Sequence, residues 1–427
     1  MTPFTPLTDA RRLPSWAREL LARHPEAAAP TAADPMPAWL ESELARVPLW
    51  ARIRGTDDIR QRHPYLAIED IRRQPKMMRQ VLDVRDELGA LAHRLVDQGI
   101  QHLIFTGCGS AFHAAQLGSF LCRQWTGWTT ESHESLELTN HWVQGHEPTA
   151  VILQSATGAS IETLDAARQA VDHGVLTVAL TNTEGSLLEE LCDESICFPT
   201  DQRCGPDISV LTTRLMMLYL LALDLGLTNG TLSPHDAEEL GEAIGHLPDI
   251  AAQFLREEDL NVSQIANELK DQQALMLVGG GPNWFSAREG ALKVEEQSSL
   301  LCKAYRPAEY AHNAIPVLST EVATVVVAPP GKSYSRVHDV VRTARAARSP
   351  SLALVVEGDD AVAEDASFVI AVPGPLGEML APPLAAIAFQ LLGYYLGAQR
   401  GCNPDTLRTD DLDHARAWLT AFPFGSH

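Results

Sequence analysis

The sequence predicts an α/β fold built from two copies of one domain, each a parallel sheet with helices on both faces. Short β-branched runs ending in Gly, Ser or Thr alternate with helical patterns, which is typical of βαβ units. The same runs recur later in the chain: residues 102–110 resemble residues 275–283, and residues 150–158 resemble residues 323–331. Four such landmarks keep a separation of 171 to 174 residues. Self-similarity at one fixed offset indicates a duplicated domain.

Three regions follow from this repeat. Residues 1–70 are predicted to form a partly helical N-terminal arm, because residues 25–37 are rich in proline and alanine and resemble a loose connector. Helical periodicity strengthens at Ile71, where the first domain is predicted to begin, and this domain extends over residues 71–235. Residues 236–427 are then the second domain with a C-terminal tail.

Composition excludes several classes of protein. The 427 residues carry a formal net charge of −22, from 33 Lys and Arg against 55 Asp and Glu, which does not favour nucleic-acid binding. The start of the chain lacks the apolar run of a signal peptide. Residues 210–227 are apolar but are interrupted by Arg214 and Asp224, which favours a buried helix over a membrane span. We therefore expect a cytoplasmic protein that binds neither nucleic acid nor membrane.

The loop after the first strand is the first candidate for ligand binding. Residues 106–110 read TGCGS and open a helical pattern, so backbone amides can meet an anion there. Phe112 occupies the third glycine position of a dinucleotide fingerprint, and Trp284 does so in the second copy. No His, Cys or carboxylate cluster has the spacing of a zinc site. We therefore expect no cofactor and no metal.

The loop after the next strand is richer in hydroxyl groups. Ser155, Thr157, Ser160 and Thr163 lie within nine residues, directly before a helical pattern. Hydroxyls together with helix-end amides can bind a dianionic phosphate without any basic residue. Ser160 could be a helix N-cap and no more, but capping needs one hydroxyl rather than four. The loop therefore predicts a phosphate site.

These motifs resemble one known family. Residues 155–163 resemble the S-x-[ST]-G-x-[ST]-x-[ED]-T signature of sugar isomerase (SIS) domains, and residues 108–110 resemble their C-G-[ST] loop. In the second copy, residues 289–297 (EGALKVEEQ) and 304–316 (AYRPAEYAHNAIP) resemble segments of the isomerase half of glucosamine-6-phosphate synthase. The resemblance covers about residues 70–407. It implies two duplicated SIS domains, each a flavodoxin-like three-layer domain.

The resemblance also implies roles for individual residues. Glu296 falls on the general base that moves a proton between C1 and C2, and His312 falls on the residue that assists opening of the sugar ring, often from the partner subunit. Without the motifs at 289–297 and 304–316, Glu296 would be interpreted as a solvent-exposed acid on a helix, and His312 as an ordinary loop histidine. The implied substrate-binding residues are Cys108, Gly109, Ser110, Ser155, Thr157, Ser160, Thr163, Glu289 and Lys293.

This sequence differs from glucosamine-6-phosphate synthase at several positions, and these differences bear on which activity is expected. Residues 1–70 are too short for a glutaminase domain, and the sequence has no lysine after Lys332, whereas the synthase uses one near its C-terminus. Asn313 and Ala314 replace the Gly-Pro that follows the family's histidine, and Ala111 replaces a hydroxyl residue. Amination driven by glutamine is therefore not expected.

The resemblance to galactosamine-6-phosphate deaminase/isomerases implies a different activity. This activity is metal-independent aldose–ketose isomerisation of an amino-sugar phosphate, giving a ketose phosphate and ammonia. Removal of an amino acid from a phosphorylated sugar adduct, isomerisation alone and non-catalytic sensing of sugar phosphates remain alternatives. The family also implies a homodimer with a shared active site.

Overall fold

The computed structural model describes residues 60, 62–141, 148–411, 413–414 and 417–418. Most of the predicted N-terminal arm, residues 1–59 and 61, lies outside the described residues. The first described helix begins at Leu66, and its buried residues include Leu66, Ala67, Ile68 and Asp70. The limits of the arm and of the two domains stay predictions.

The strands form two sheets of five parallel strands each. The first sheet has the order β2-β1-β3-β4-β5 and the second has the order β10-β9-β8-β6-β7, which is the same arrangement repeated. This order is that of flavodoxin-like folds, in which ligands bind beyond the carboxyl ends of the strands. The predicted duplicated α/β fold is confirmed. The strands are β1 (His102–Gly107), β2 (Thr129–Glu134), β3 (Thr149–Ser155), β4 (Leu176–Thr181), β5 (Glu194–Cys197), β6 (Ala274–Val278), β7 (Leu301–Tyr305), β8 (Val322–Ala328), β9 (Ser351–Val356) and β10 (Phe368–Val372).

Helices alternate with these strands and cover the sheets. Two single turns of 3₁₀-helix, Leu82–Val84 and Ile315–Val317, supplement them. The α-helices are α1 (Leu66–Val81), α2 (Arg85–Asp97), α3 (Ser110–Thr126), α4 (Ser135–His141), α5 (Ile161–Asp172), α6 (Leu187–Leu191), α7 (Ser209–Thr228), α8 (Pro234–Leu269), α9 (Asn283–Ser298), α10 (Pro307–Asn313), α11 (Tyr334–Ala346), α12 (Asp360–Ala363) and α13 (Pro382–Arg400).

Helix α7 contains the apolar stretch singled out in the sequence. Among the described helices it alone is long and apolar enough to cross a membrane, yet 94% of its most apolar window is buried inside the protein. Arg214 is fully buried within this helix.

One hydrophobic core extends across both halves of the chain. It includes Phe105 on β1, Leu218 on α7, Phe254 on α8 and Phe389 on α13. Helices α9 and α13 approach each other closely at glycines. A Cβ added at Gly290 would lie 2.4 Å from the Phe389 ring, so no larger residue fits without a shift of the helices. This close packing fixes the position of α9, which bears the candidate base.

Candidate active site

Three charged side chains line one face of helix α9. Glu289, Lys293 and Glu296 are spaced at i, i+4 and i+7, which places them on the same side of a helix. Lys293 Nζ lies 2.5 Å from Glu296 Oε2 and 3.5 Å from Glu289 Oε1. The side chains of Glu289 and Lys293 are 0% exposed, and that of Glu296 is 17% exposed. The structure therefore brings the predicted base together with both supporting residues.

The first domain contributes partners for Glu289. Ser110 Oγ donates a hydrogen bond to Glu289 Oε1 at 2.9 Å, and His113 Nδ1 lies 2.7 Å from Glu289 Oε2. Ser110 and His113 are one turn apart on α3, directly after the TGCGS loop. This arrangement joins the first copy to the second at the site. His113 was not found by sequence reasoning, because an isolated histidine in a helical pattern carries no motif.

Glu289 and Glu296, the two carboxylates that contact Lys293, have opposite pKa shifts. Burial raises the pKa of Glu289, but nearby Lys293, together with hydrogen bonds from His113 and Ser110, outweighs burial and lowers this pKa to about 2. For Glu296, burial outweighs attraction to Lys293 and raises the pKa to about 7. Glu289 is thus a fixed anion, whereas Glu296 can accept and release a proton near neutral pH.

Lys293 stays protonated between these acids. Burial by itself lowers the pKa of a lysine, but the charges of Glu296 and Glu289 outweigh that effect and raise the pKa of Lys293. Lys293 is therefore a permanent cation in the site. It can stabilise negative charge that develops on a substrate oxygen beside it.

The hydroxyl loop lies at the carboxyl end of β3 and leads into α5. Ser155 Oγ accepts a hydrogen bond from the amide of Gly158 at 3.0 Å, and Thr157 Oγ1 accepts one from Ala159 at 3.2 Å. Gly158 has a φ of +61°, and a Cβ there would lie 2.2 Å from Ser186 Oγ, so the turn requires glycine. The loop is a compact turn with its hydroxyls gathered together.

Ser160 stands at the N-cap position of α5 but makes no side-chain capping hydrogen bond. Its hydroxyl instead lies 3.2 Å from Ser155 Oγ. The interpretation of Ser160 as a simple N-cap is therefore not supported. The first amides of α5 lack a side-chain cap and can bind an anion.

Thr163 and Cys108 contact each other and neighbouring polar side chains next to the 155–163 loop. Thr163 is 1% exposed, and its Oγ1 lies 3.1 Å from Ser135 Oγ and 3.9 Å from Cys108 Sγ. Cys108 donates to Glu134 Oε1 at 3.1 Å, and burial together with that carboxylate raises the pKa of the thiol to about 12. Glu134 and Ser135 were missed because β2 is a polar edge strand, without the apolar run that marked its neighbours.

His312 differs from the other predicted catalytic residue in its exposure. It is exposed on α10, which follows edge strand β7. In the described part of the chain, no hydrogen bond or ion pair joins His312 to Glu296 or to the hydroxyl loop. Its expected role in ring opening stays a prediction.

Sequence patterns also did not identify an ion pair between a buried arginine and a partly exposed aspartate. Arg214 on α7 is 0% exposed, its Nη1 lies 3.9 Å from Asp207 Oδ2, and its Nη2 donates to Asn182 Oδ1 at 3.3 Å. The charge of Asp207 acts on both Lys293 and Glu296. Sequence reasoning used Arg214 only as an interruption of an apolar run. The sequence signal that could have identified Arg214 is its position as a charged residue within a mostly apolar helix.

The second copy differs at the position that corresponds to the hydroxyl loop. There the amide of Ser333, just before α11, donates to Glu378 Oε2 at 3.2 Å. A Cβ added at Gly331 would lie 2.3 Å from the Glu378 carboxyl carbon. A carboxylate of the chain itself thus occupies this place, and only the first copy offers an open hydroxyl loop.

The position that corresponds to the third glycine of a dinucleotide-binding loop is occupied by a packed aromatic side chain. Phe112, at the third glycine position, packs against the Arg288 guanidinium at 5.3 Å from its ring centre. Among the residues that the structure describes, no group of three or more His, Cys, Asp and Glu side chains is placed to hold a metal ion.

Comparison with known proteins agrees with the motifs. Residues 97–224 match the model of the SIS domain. These residues hold all five strands of the first sheet, including the loops after β1 and β3. This part of the chain is therefore similar to the SIS domain, and the predicted resemblance is confirmed.

Relatives extend the similarity over most of the chain. Glutamine–fructose-6-phosphate aminotransferase (isomerizing) of Gloeobacter violaceus is 28% identical over 354 residues, which are 81% of this chain and 57% of the relative. The chain thus spans less than two thirds of the length of this curated relative.

Solved structures share the fold. The C-terminal domain of glucosamine-fructose-6-phosphate aminotransferase from Francisella tularensis has a TM-score of 0.73 at 20% identity, covering 81% of this chain and 98% of that chain. Glucosamine-6-phosphate deaminase from Thermotoga maritima has a TM-score of 0.62 at 20% identity, covering 79% and 96%.

Proposed function

We propose that the protein is a phosphosugar isomerase of the SIS class that converts an amino-sugar phosphate into a ketose phosphate and ammonia. The observation that carries this proposal is Glu296, a largely buried carboxylate with a pKa of about 7, held 2.5 Å from the ammonium of Lys293. A general base works best when its pKa lies near the working pH. Such a base can remove a proton from the carbon next to a carbonyl group.

The other groups fit the steps around this proton transfer. The hydroxyls of the 155–163 loop and the amides of α5 bind the phosphate. Glu296 takes the C2 proton of the open-chain aldose and returns it to C1 through an enolamine. This leaves an imine at C2, which water hydrolyses to the ketose and ammonia. Lys293 stabilises charge on the oxygen at C1, and Glu289 holds Lys293 in place.

His312 is assigned to ring opening across a dimer interface. Its exposed position on α10, without a contact to Glu296, fits a residue that serves the site of a partner subunit. A neutral imidazole can pass a proton between the ring oxygen and the hydroxyl at C1.

Relatives support the substrate class. The names of the matched proteins refer to fructose 6-phosphate and glucosamine 6-phosphate. Both describe chemistry at C2 of a hexose 6-phosphate, where an amine and a carbonyl oxygen are exchanged.

Replacement of Glu296 tests the proposal directly. Glu296→Gln keeps the shape of the side chain but removes the base, so ammonia release and exchange of the C2 proton in D₂O should fall about 10³-fold. Glu295→Gln is the matched control, because Glu295 is next in sequence yet faces away and accepts from the amide of Cys302. The control should stay within about threefold of the parent protein. Unchanged exchange in Glu296→Gln would refute the catalytic assignment.

A substrate panel separates the alternatives. It contains amino-sugar phosphates, ketose phosphates and sugar phosphates carrying an amino acid, with ammonia, ketose phosphate and free amino acid measured together. Turnover of the amino-acid adducts alone would identify a deglycase, and interconversion without ammonia would identify an isomerase. If phosphosugars raised the melting temperature without any turnover, a sensor would be the better account.

A further inference from the structure

Arg214, in the second turn of helix α7, and Asp207, just before this helix, form an incomplete ion pair. Their closest atoms are 3.9 Å apart, which is beyond hydrogen-bond length. Arg214 is completely buried, and its Nε and Nη1 atoms have no hydrogen-bond partner among the described residues. A buried guanidinium needs a counter-charge, since desolvation of a charge is costly. Asp207 and Glu289 are the acids whose charges act on Arg214, and Asp207 is the one that lies within 4 Å of it.

Asp207 itself has unused hydrogen-bonding capacity. Its side chain is 25% exposed, and its carboxylate accepts no hydrogen bond from any described residue. It belongs to the segment that connects β5 to α7, at the carboxyl end of the first sheet. Its charge acts on both Lys293 and Glu296. A partly exposed carboxylate with free lone pairs therefore lies at the carboxyl end of the first sheet, where its charge acts on the proposed base and on Lys293.

The chemistry of this position favours a cationic ligand. An ammonium group offers three N–H donors and a positive charge, whereas a hydroxyl group offers one donor and no charge. In the proposed reaction, Glu296 must reach the proton on C2. The amino group on that same carbon then lies within reach of a neighbouring acid.

We propose that Asp207, positioned by Arg214, binds the amino group at C2 of the substrate and selects amino-sugar phosphates over their C2-hydroxyl counterparts. This inference rests on the proposed function for the location of the sugar. It assigns Asp207 as a binding residue and Arg214 as a positioning residue.

Binding measurements with paired sugars test this selection. The pairs are glucosamine 6-phosphate with glucose 6-phosphate and galactosamine 6-phosphate with galactose 6-phosphate, which differ only at C2. Calorimetry is done in the Glu296→Gln background, so that no turnover occurs. A charge-assisted hydrogen bond predicts a preference of about ten- to a hundredfold for the amino sugar. Adding Asp207→Asn should reduce that preference to within about threefold and leave affinity for the hydroxyl sugar nearly unchanged.

Two further variants separate positioning from structure. Arg214→Lys keeps the buried charge and should retain most of the preference, whereas Arg214→Met should lose it. If Arg214→Met fails to fold, Asp207→Asn decides the matter, because it keeps the size of a partly exposed side chain. It removes a counter-charge of Arg214, so its melting temperature is measured first, and its sugar preference is compared only at temperatures where it is folded. Asp172→Asn is the matched control: it removes one charge at the far end of α5 and should leave the preference unchanged.

The possible failures are distinguishable. An unchanged preference in Asp207→Asn, an equal loss for both sugars of a pair, or no binding of any of the four sugars would overturn the inference. Ammonia release by the parent protein with an Asp207-independent preference would leave the proposed function standing. A preference that depends on Asp207, without any turnover by the parent protein, would support the binding role and refute the deaminase.

Discussion

Glu289 and Glu296 show how two identical side chains on one helix face acquire different chemistry. Both are buried beside Lys293, but Glu289 also receives hydrogen bonds from Ser110 and His113. These extra donors stabilise its ionised form, whereas Glu296 has Lys293 alone against the cost of burial. A fixed anion and a titrating base thus result from local partners and not from residue type.

The raised pKa of Glu296 predicts the pH dependence of the proposed reaction. The base acts in its ionised form, so kcat/KM should rise about tenfold per pH unit below pH 7 and level off above about pH 8. Initial rates of ketose phosphate formation between about pH 5.5 and 9 measure this profile. A rate that stays constant across this range would contradict the assignment of Glu296 as the base.

At the scale of secondary structure, helix α9 links the two copies. One face carries the charged residues of the site, and another packs on α13 through Gly393 and Gly397. A Cβ added at Gly397 would lie 2.1 Å from the carbonyl oxygen of Gln297. The positions of the charged side chains on α9 therefore depend on the close packing of α9 against α13.

Gly397→Ala should test this dependence. The added methyl group forces α13 away from α9, so the melting temperature should fall by several degrees, equivalent to about 1–3 kcal/mol. Gly245→Ala on α8 is the matched control, because nothing lies within 4 Å of its Cβ position. Helix propensity should make the control as stable as the parent protein or slightly more so. Thermal unfolding followed by circular dichroism compares them, and equal melting temperatures would contradict the packing argument.

At the scale of the whole molecule, duplication has produced two unequal copies. The first copy keeps the open hydroxyl loop, whereas Glu378 occupies the corresponding place in the second. The second copy instead supplies α9 and the exposed His312. The two copies thus contribute different parts of the same candidate site, so the described residues form one such site and not two.

Mixing of inactive variants tests the expected shared site. Glu296→Gln and His312→Asn should each be nearly inactive alone. If His312 serves the partner's site, a mixed dimer has one intact site. An equal mixture should then recover about a quarter of the parent activity after subunit exchange. Mass spectrometry of differently tagged chains confirms the exchange. No recovery in exchanged dimers would place Glu296 and His312 in the same chain's site.

Net charge predicts the response to salt. A chain with a formal charge of −22 repels a phosphate dianion at long range, and added salt screens that repulsion. The value of kcat/KM should therefore rise or stay constant between about 0.03 and 0.3 M NaCl. Steady-state rates across this series measure it. A steep loss of kcat/KM with added salt would indicate a basic surface that attracts the phosphate and would contradict this prediction.

The local parts of this molecule could be predicted from sequence because each is encoded by neighbouring residues. The strand–loop–helix order, the duplication and the hydroxyls of the 155–163 loop are properties of short segments. Glu289, Lys293 and Glu296 were named by the resemblance to the sugar isomerase family, and their helical spacing is consistent with one shared face. Sequence patterns therefore predict the fold class and the hydroxyl loop, and the family resemblance adds the other predicted residues of the candidate site.

Tertiary structure decided which side chains meet and in what state of charge. His113, Ser135, Asp207 and Arg214 join the site from elements far from α9 in sequence. No spacing rule connects such residues, because their proximity arises only when both copies pack into one core. The raised pKa of Glu296 has the same origin: burial by neighbouring elements removes water from the carboxylate, and only the folded chain creates that environment.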